Sequence, residues 1–277
     1  MPATEITDDI GIVNAALAGL SMNPIAAFTD NTEQAKLANA TYRQHLETVL
    51  SEHPWNFAMK HATLDMAIKP KPAWRWDYAF STPADTLRVW EVEDQSADEY
   101  DEWTISDRLL LTNLTQNLQT IFGAVVANTL DIEAHGYLEG DVVVAVKGGD
   151  VLPTGVSEDT LYFVKFITVD KIQLAITSGG ANILLTNDGG ADNVLIRRTV
   201  DIRYIQYVST VTLYSAQFLS VLIAKLEAEW AEPLVKATTL GDRKDKKFDE
   251  KMAAARSIDG QEGTPERQDT STWIDAR

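Results

Sequence analysis

The side chains able to do chemistry are few. The 277-residue chain has four histidines, His45, His53, His61 and His135, and no cysteine. The missing thiols remove disulfide frameworks, thiol nucleophiles and cysteine-type zinc sites together. His45, His53 and His61 recur every eight residues, but Pro54 interrupts the helix that would align them, so packing or surface roles outweigh a metal site. Glu91 and Glu93 would share one strand face, as paired glycosidase carboxylates might. They belong to an acidic run, however, and a solvated loop is the simpler account. No Walker loop, G-x-G-x-x-G turn, G-x-S-x-G elbow, H-E-x-x-H pair or EF-hand spacing occurs. A non-enzymatic protein without cofactor or metal is expected.

Charge is the stronger signal. The chain has 41 acids against 24 bases, a net charge of −17. A surface of that sign repels nucleic acid and disfavours a protein that grips a duplex, but not one past which DNA slides. The acids concentrate at residues 91–102, where Glu91, Glu93, Asp94, Asp98, Glu99, Asp101 and Glu102 stand close together. The bases concentrate at Lys236, Arg243, Lys244, Lys246, Lys247, Lys251 and Arg256. Three roles stay open for this basic stretch: a solvated helix face, contact with an acidic partner protein, or contact with DNA. The first residues, Met1-Pro2-Ala3-Thr4-Glu5, do not form a signal peptide, so synthesis in the cytoplasm is expected. The longest apolar runs are far too short to span a bilayer, and no membrane partner is expected.

The elements that must carry these residues change character along the chain. Helical periodicity dominates from about residue 6 to residue 64: Ile10, Val13, Leu17 and Leu20 share one face, then Leu37, Tyr42, Leu46 and Leu50 share another after a start near Asp30 or Thr32. Pro24 and Pro54 close the two helices. Alternation at Trp74, Trp76 and Tyr78, then at Leu87 and Val89, predicts two strands, and residues 108–112 predict a third.

Residues 136–198 hold nine of the fifteen glycines and none of the seven tryptophans. That shift marks an inserted module with strands at 142–146, 161–169, 172–176, 183–185 and 194–196, arranged as a small sandwich or barrel. Its glycines fit hairpin turns better than phosphate cradles. Residues 200–207 predict a strand. Phe218, Leu222, Leu226 and Trp230 then step by four through the strongest helix, with Glu227, Glu229 and Glu232 on its opposite side, and a last helix spans about 242–257. The expected fold is therefore α+β: a helical bundle with a small antiparallel β element, residues 1–130 and 200–277, and an inserted all-β module at 131–199. The tail, about 259–277, is expected to be extended and to order on a partner through Trp273 and Ile274.

Several strings resemble one known family. His53-Pro54-Trp55-Asn56-Phe57-Ala58 at a helix end, Trp76-Asp77-Tyr78-Ala79-Phe80, Pro83-Ala84-Asp85-Thr86-Leu87-Arg88-Val89, and the closing Ser271-Thr272-Trp273-Ile274 follow one another as in the head-to-tail adaptors of short-tailed bacteriophages, the tail tubular protein A or packaged-DNA-stabilisation connectors. The resemblance covers 1 to about 120 and 200–277. It departs at Thr86, where cysteine is common, and at the β module, which compact members lack.

The resemblance implies a structural virion protein of the phage neck or tail, made in the host cytoplasm. It would form a ring, usually of twelve copies, between the portal protein and the tail tube or nozzle protein. Double-stranded DNA would pass through that ring without sequence-specific binding and be retained after packaging. It implies a structural role for His53, Pro54, Trp55, Asn56 and Phe57. It also implies portal docking by Trp273, Ile274 and Arg277 with Lys244 and Lys247. An acidic channel wall would keep DNA mobile, with Glu91, Glu93, Asp94, Asp98 and Glu99 as the expected lining. The alternative makes the β module a virion decoration or receptor-binding domain for a host glycan or capsid surface.

Overall fold

The computed structural model describes residues 6–67, 75–92, 103–122, 125–126, 128–148, 151–158, 160–187, 192–236 and 238–261. Among the residues singled out above, Met1 to Glu5, Trp74, Glu93, Asp94, Asp98, Glu99, Asp101, Glu102, Ser271, Thr272, Trp273, Ile274 and Arg277 lie outside them. The fold is α+β, and the chain divides into two compact units, Met1–Lys60 with Asp85–Arg88 and Tyr204–Arg277, and His61–Ala84 with Val89–Arg203.

Four helices make the first unit. α1 (Asp9–Gly19) starts where the Asp8 carboxylate accepts from the Gly11 N–H, and α2 (Glu33–Ser51) starts where the Thr32 hydroxyl accepts from the Ala35 N–H. Each side chain satisfies a backbone donor that the first helical turn leaves unpaired. Ser215 caps α3 (Ala216–Trp230) in the same way through the Phe218 N–H. Pro233 has no N–H to continue the α ladder, and the chain widens into one π turn at Ala231–Val235 before α4 (Thr238–Asp259) begins. Leu17, Leu46, Leu50, Trp55, Phe218, Leu222 and Trp230 form the centre of one apolar core.

The strands are β1 (Met59–Asp65), β2 (Tyr78–Ser81), β3 (Thr86–Val92), β4 (Trp103–Ser106), β5 (Leu109–Thr112) and β6 (Gln116–Ile121), then β7 (Val125–Val126), β8 (Thr129–Asp131), β9 (Val142–Val146), β10 (Leu161–Thr168), β11 (Lys171–Ala175) and β12 (Val194–Gln206). One sheet runs β1-β12-β9-β10-β11-β8-β7, with β3 and β6 also paired to β12, and a separate three-stranded sheet runs β2-β5-β4. The β unit has its own core, in which Leu130, Tyr137, Val143, Tyr162, Ile172 and Leu195 are buried.

Several expectations are corrected. Neither sheet closes into a barrel, because the large sheet's path ends in the two-residue β7 rather than returning to β1. Residues 59–65 are strand, not helix: Pro54 ends the helical pattern, and the chain then pairs with β12, as the Gln206 N–H to Ala58 carbonyl bond and the Met66 N–H to Arg198 carbonyl bond record. Residues 194–196 and 200–207, read as two strands, form the single strand β12. β6 and β9 bond to the same residues of β12, 194–197, and so flank it on opposite edges. That pairing draws residues N-terminal to 131 into the β unit. Residues 183–185 form no strand; the neighbouring Asn182 makes only an isolated bridge to Ala175.

Candidate functional site

The family-like string lies at the end of α2 and is tied to the end of α4. Trp55 is fully buried, its indole N–H donates to the Val49 carbonyl at 3.0 Å, and its ring meets Phe218 edge-on with 5.1 Å between centroids. Phe57 also meets Phe218, at 5.0 Å between centroids. Pro54 stops the helix, and the Trp55 N–H bonds to the His53 carbonyl at 2.8 Å, so the next residues turn back toward the core.

Two polar residues of the string face outward to Asp259. His53 Nε2 lies 3.0 Å from Asp259 Oδ2. The Asn56 backbone N–H reaches the same carboxylate at 3.3 Å, and its side-chain amide donates to the Asp259 carbonyl at 2.7 Å. Arg256 reinforces the junction by donating to the Glu52 carbonyl at 3.3 Å. Burial pulls the His53 pKa below its ordinary 6.5, against the raising influence of the Asp259 hydrogen bond and charge. A neutral ring donating from Nε2 fits that direction. This latch fixes where α4 ends, and so where residues 262–277 begin. The string alone pointed to a packed motif; the partner, 203 residues away from Asn56, could not be read from it.

The basic helix is spent partly inside the molecule. Glu227, placed by periodicity on the outer side of α3, is 5% exposed. Lys244 Nζ lies 2.7 Å from its Oε2 and also donates to the Gly19 carbonyl at 3.0 Å, and Lys247 Nζ lies 3.5 Å from the same oxygen. Gly19 permits this approach: a Cβ there would lie 2.0 Å from the Glu227 carboxylate. α3 is covered by α1 and α4 as well as α2, which is why its polar side is not a solvent side. Of the two lysines expected at a docking surface, Lys244 is thus turned inward, while Lys247 keeps about half its side chain exposed. Lys251 donates to the Ser220 carbonyl, and burial, joined by the charge of Lys247, lowers its pKa.

In the β unit, a cavity of about 430 Å³ is lined by His61, Thr63, Glu91, Gln116, Asp201 and Arg203 among others. Several of its polar groups are matched: Arg203 donates to Glu91 at 2.7 Å, and Thr63 and Gln116 both donate to Asp201, while the buried Arg203 Nε makes no hydrogen bond. Glu91, expected to line a channel, is paired here with Arg203. Arg197 bridges Asp65 at 2.9 Å and Asp141 at 3.0 Å, a cluster that its sequence positions did not suggest. Burial raises the Asp141 pKa despite the lowering influence of Arg197.

Among the described residues no group of His, Asp and Glu side chains is arranged to hold a metal, and no helix is long and apolar enough to cross a membrane. No family model matches the chain, and no curated protein is found to be similar to it.

Proposed function

We propose that the protein is a head-to-tail adaptor of a short-tailed phage virion, a non-enzymatic ring subunit between portal and tail nozzle. The observation that supports this reading is the latch of His53 and Asn56 on Asp259. It joins the family-like string to the residue from which the C-terminal segment departs. A segment that docks a partner gains affinity when its root is held rigidly, because less of its freedom is lost on binding. Trp273 and Ile274 would supply the buried anchors and Arg277 and Lys247 charge complementarity, while the acidic run at 91–102 would face passing DNA. The β unit, inserted between the helical segments, would stand as an added module on this scaffold.

The protein mixed with its phage's portal should form a ring capping that portal in negative-stain images, with twelve-fold averages. Truncation after residue 261 should abolish capping and leave the melting temperature within a few degrees of the full chain. Failure of the full-length protein to bind portal overturns the reading.

A further inference from the structure

The edge of β6 fits a second copy of the same strand. Residues 109–130 carry no charged side chain in a chain that is 23% charged. Of the other long uncharged runs, 10–29 and 204–224 hold most of α1 and of α3 and supply core residues, and 172–187 holds most of β11 and the residues after it. β6 is different: Leu118 is 41% exposed and Ile121 63% exposed.

The hydrogen-bond phase of β6 follows from one contact. The Phe122 N–H donates to the Asn193 carbonyl at 3.0 Å, and the antiparallel register continues unbroken from Ile121↔Val194 to Gln116↔Thr199. Donors in an antiparallel ladder alternate between the two edges of a strand. Leu118 and Thr120 therefore direct N–H and C=O toward β12, and Asn117, Gln119 and Ile121 direct theirs away from it. Among the described strands β6 pairs with β12 alone. The side-chain amides of Asn117 and Gln119 make no hydrogen bond within the described chain. Exposed edges are ordinarily protected by charge, proline or a bulge. β6 has none of the three.

We propose that β6 pairs antiparallel with β6 of a second copy, centred on Gln119. In that register Gln119 faces Gln119 of the partner subunit, Asn117 faces the partner's Ile121, and each facing pair exchanges two backbone hydrogen bonds. The arrangement is isologous: one patch serves both subunits. An uncharged edge admits its own copy: two chains of −17 repel wherever acids face each other, and β6 itself carries no acid to set against another. A two-fold pair is closed and does not propagate into a ring, so it describes the free subunit and does not depend on the adaptor reading.

Sedimentation velocity of the full-length protein over the micromolar range should give a dimer. Gln119→Pro removes only an outward N–H and spares the β12 ladder; Ile121→Lys places a charge at the edge. Each should weaken the dimer at least about tenfold while circular dichroism stays that of the parent. Because the chain lacks cysteine, Gln119→Cys should cross-link to itself on oxidation, the opposed Cα atoms lying about 5.5 Å apart as a disulfide needs. Ser257→Cys, exposed on α4, should not. A monomeric parent, undiminished association in Ile121→Lys, or equal cross-linking at both cysteines overturns the proposal. Portal capping by the monomeric Ile121→Lys variant would leave the adaptor reading standing, and loss of capping by a protein that still dimerises would remove that reading alone.

Discussion

In the helical unit, charges distant in sequence are drawn inside and matched: Lys244 on Glu227, and Asp259 on His53 and Asn56. In the β unit, large apolar side chains are left outside, among them Ile121, Leu138, Val169 and Leu184, against Leu213, Val235 and Ile258 in the helical unit. The difference has a geometric origin. A helix surrounded on several sides must bury some of its polar face, and each buried charge then requires a partner from another helix. A sheet that stays open keeps an edge and half of its side chains in reach of solvent, where burial by another chain is still available. The described part of the first unit exposes few large apolar side chains; the second exposes more of them.

The sharpest way to break this contrast is to remove one member of the buried pair. Glu227→Ala leaves Lys244 inside without its carboxylate and should cost about 3–5 kcal/mol in urea unfolding. A loss below about 1 kcal/mol would mean that the lysine simply swings to water.

In the β unit the corresponding damage comes from packing. Leu130→Ala, at a fully buried position, should cost about 2–5 kcal/mol by thermal or urea denaturation. Gly155 adds a backbone test: at φ +97° a new Cβ would meet the Leu184 carbonyl at 2.7 Å, so Gly155→Ala should cost about 1–3 kcal/mol.

The latch should show a pH dependence of defined sign. The folded-state pKa of His53 lies below 6.5, so below that pH the unfolded chain binds more protons and stability falls as pH falls. Asp259→Asn removes the carboxylate that opposes this shift, and the acid-side loss should steepen relative to the parent when melting temperatures at pH 7.5 and 5.5 are compared. An unchanged or shallower slope would show that His53 is not the titrating group.

The smallest effect belongs to the rim. Lys247→Ala removes a half-exposed partner of Glu227 while Lys244 remains, and should change stability by less than about 1 kcal/mol. An effect as large as that of Glu227→Ala would make both lysines equal members of the cluster.

Much of the local structure was legible because its causes are local. Thr32, one of the two starts the pattern offers for α2, caps it through a bond to a residue three positions away. The short, β-branched apolar runs at 142–146 and 161–168, bounded by glycine and proline turns, declare strands. The errors lie where a partner far away in the chain decides. Residues 59–64 fall within the stretch read as helical, although Pro54 ends its last helix, and they pair with β12 instead. β6, too polar on both faces to show alternation, was passed over. The periodicity sets Glu227 opposite the apolar stripe, but periodicity does not report how many neighbours surround a helix, and that side is buried.

Composition, the absence of cysteine, the acidic balance, the capped helices and the short motif around Trp55 are properties of contiguous residues, and the sequence by itself determined them. Which charges are buried, which strand edge is left open, and which residue latches the motif are set by groups separated by tens to hundreds of positions. Tertiary structure alone decided these, because desolvation and hydrogen-bond pairing depend on what the folded chain brings alongside a group, and not on what precedes it.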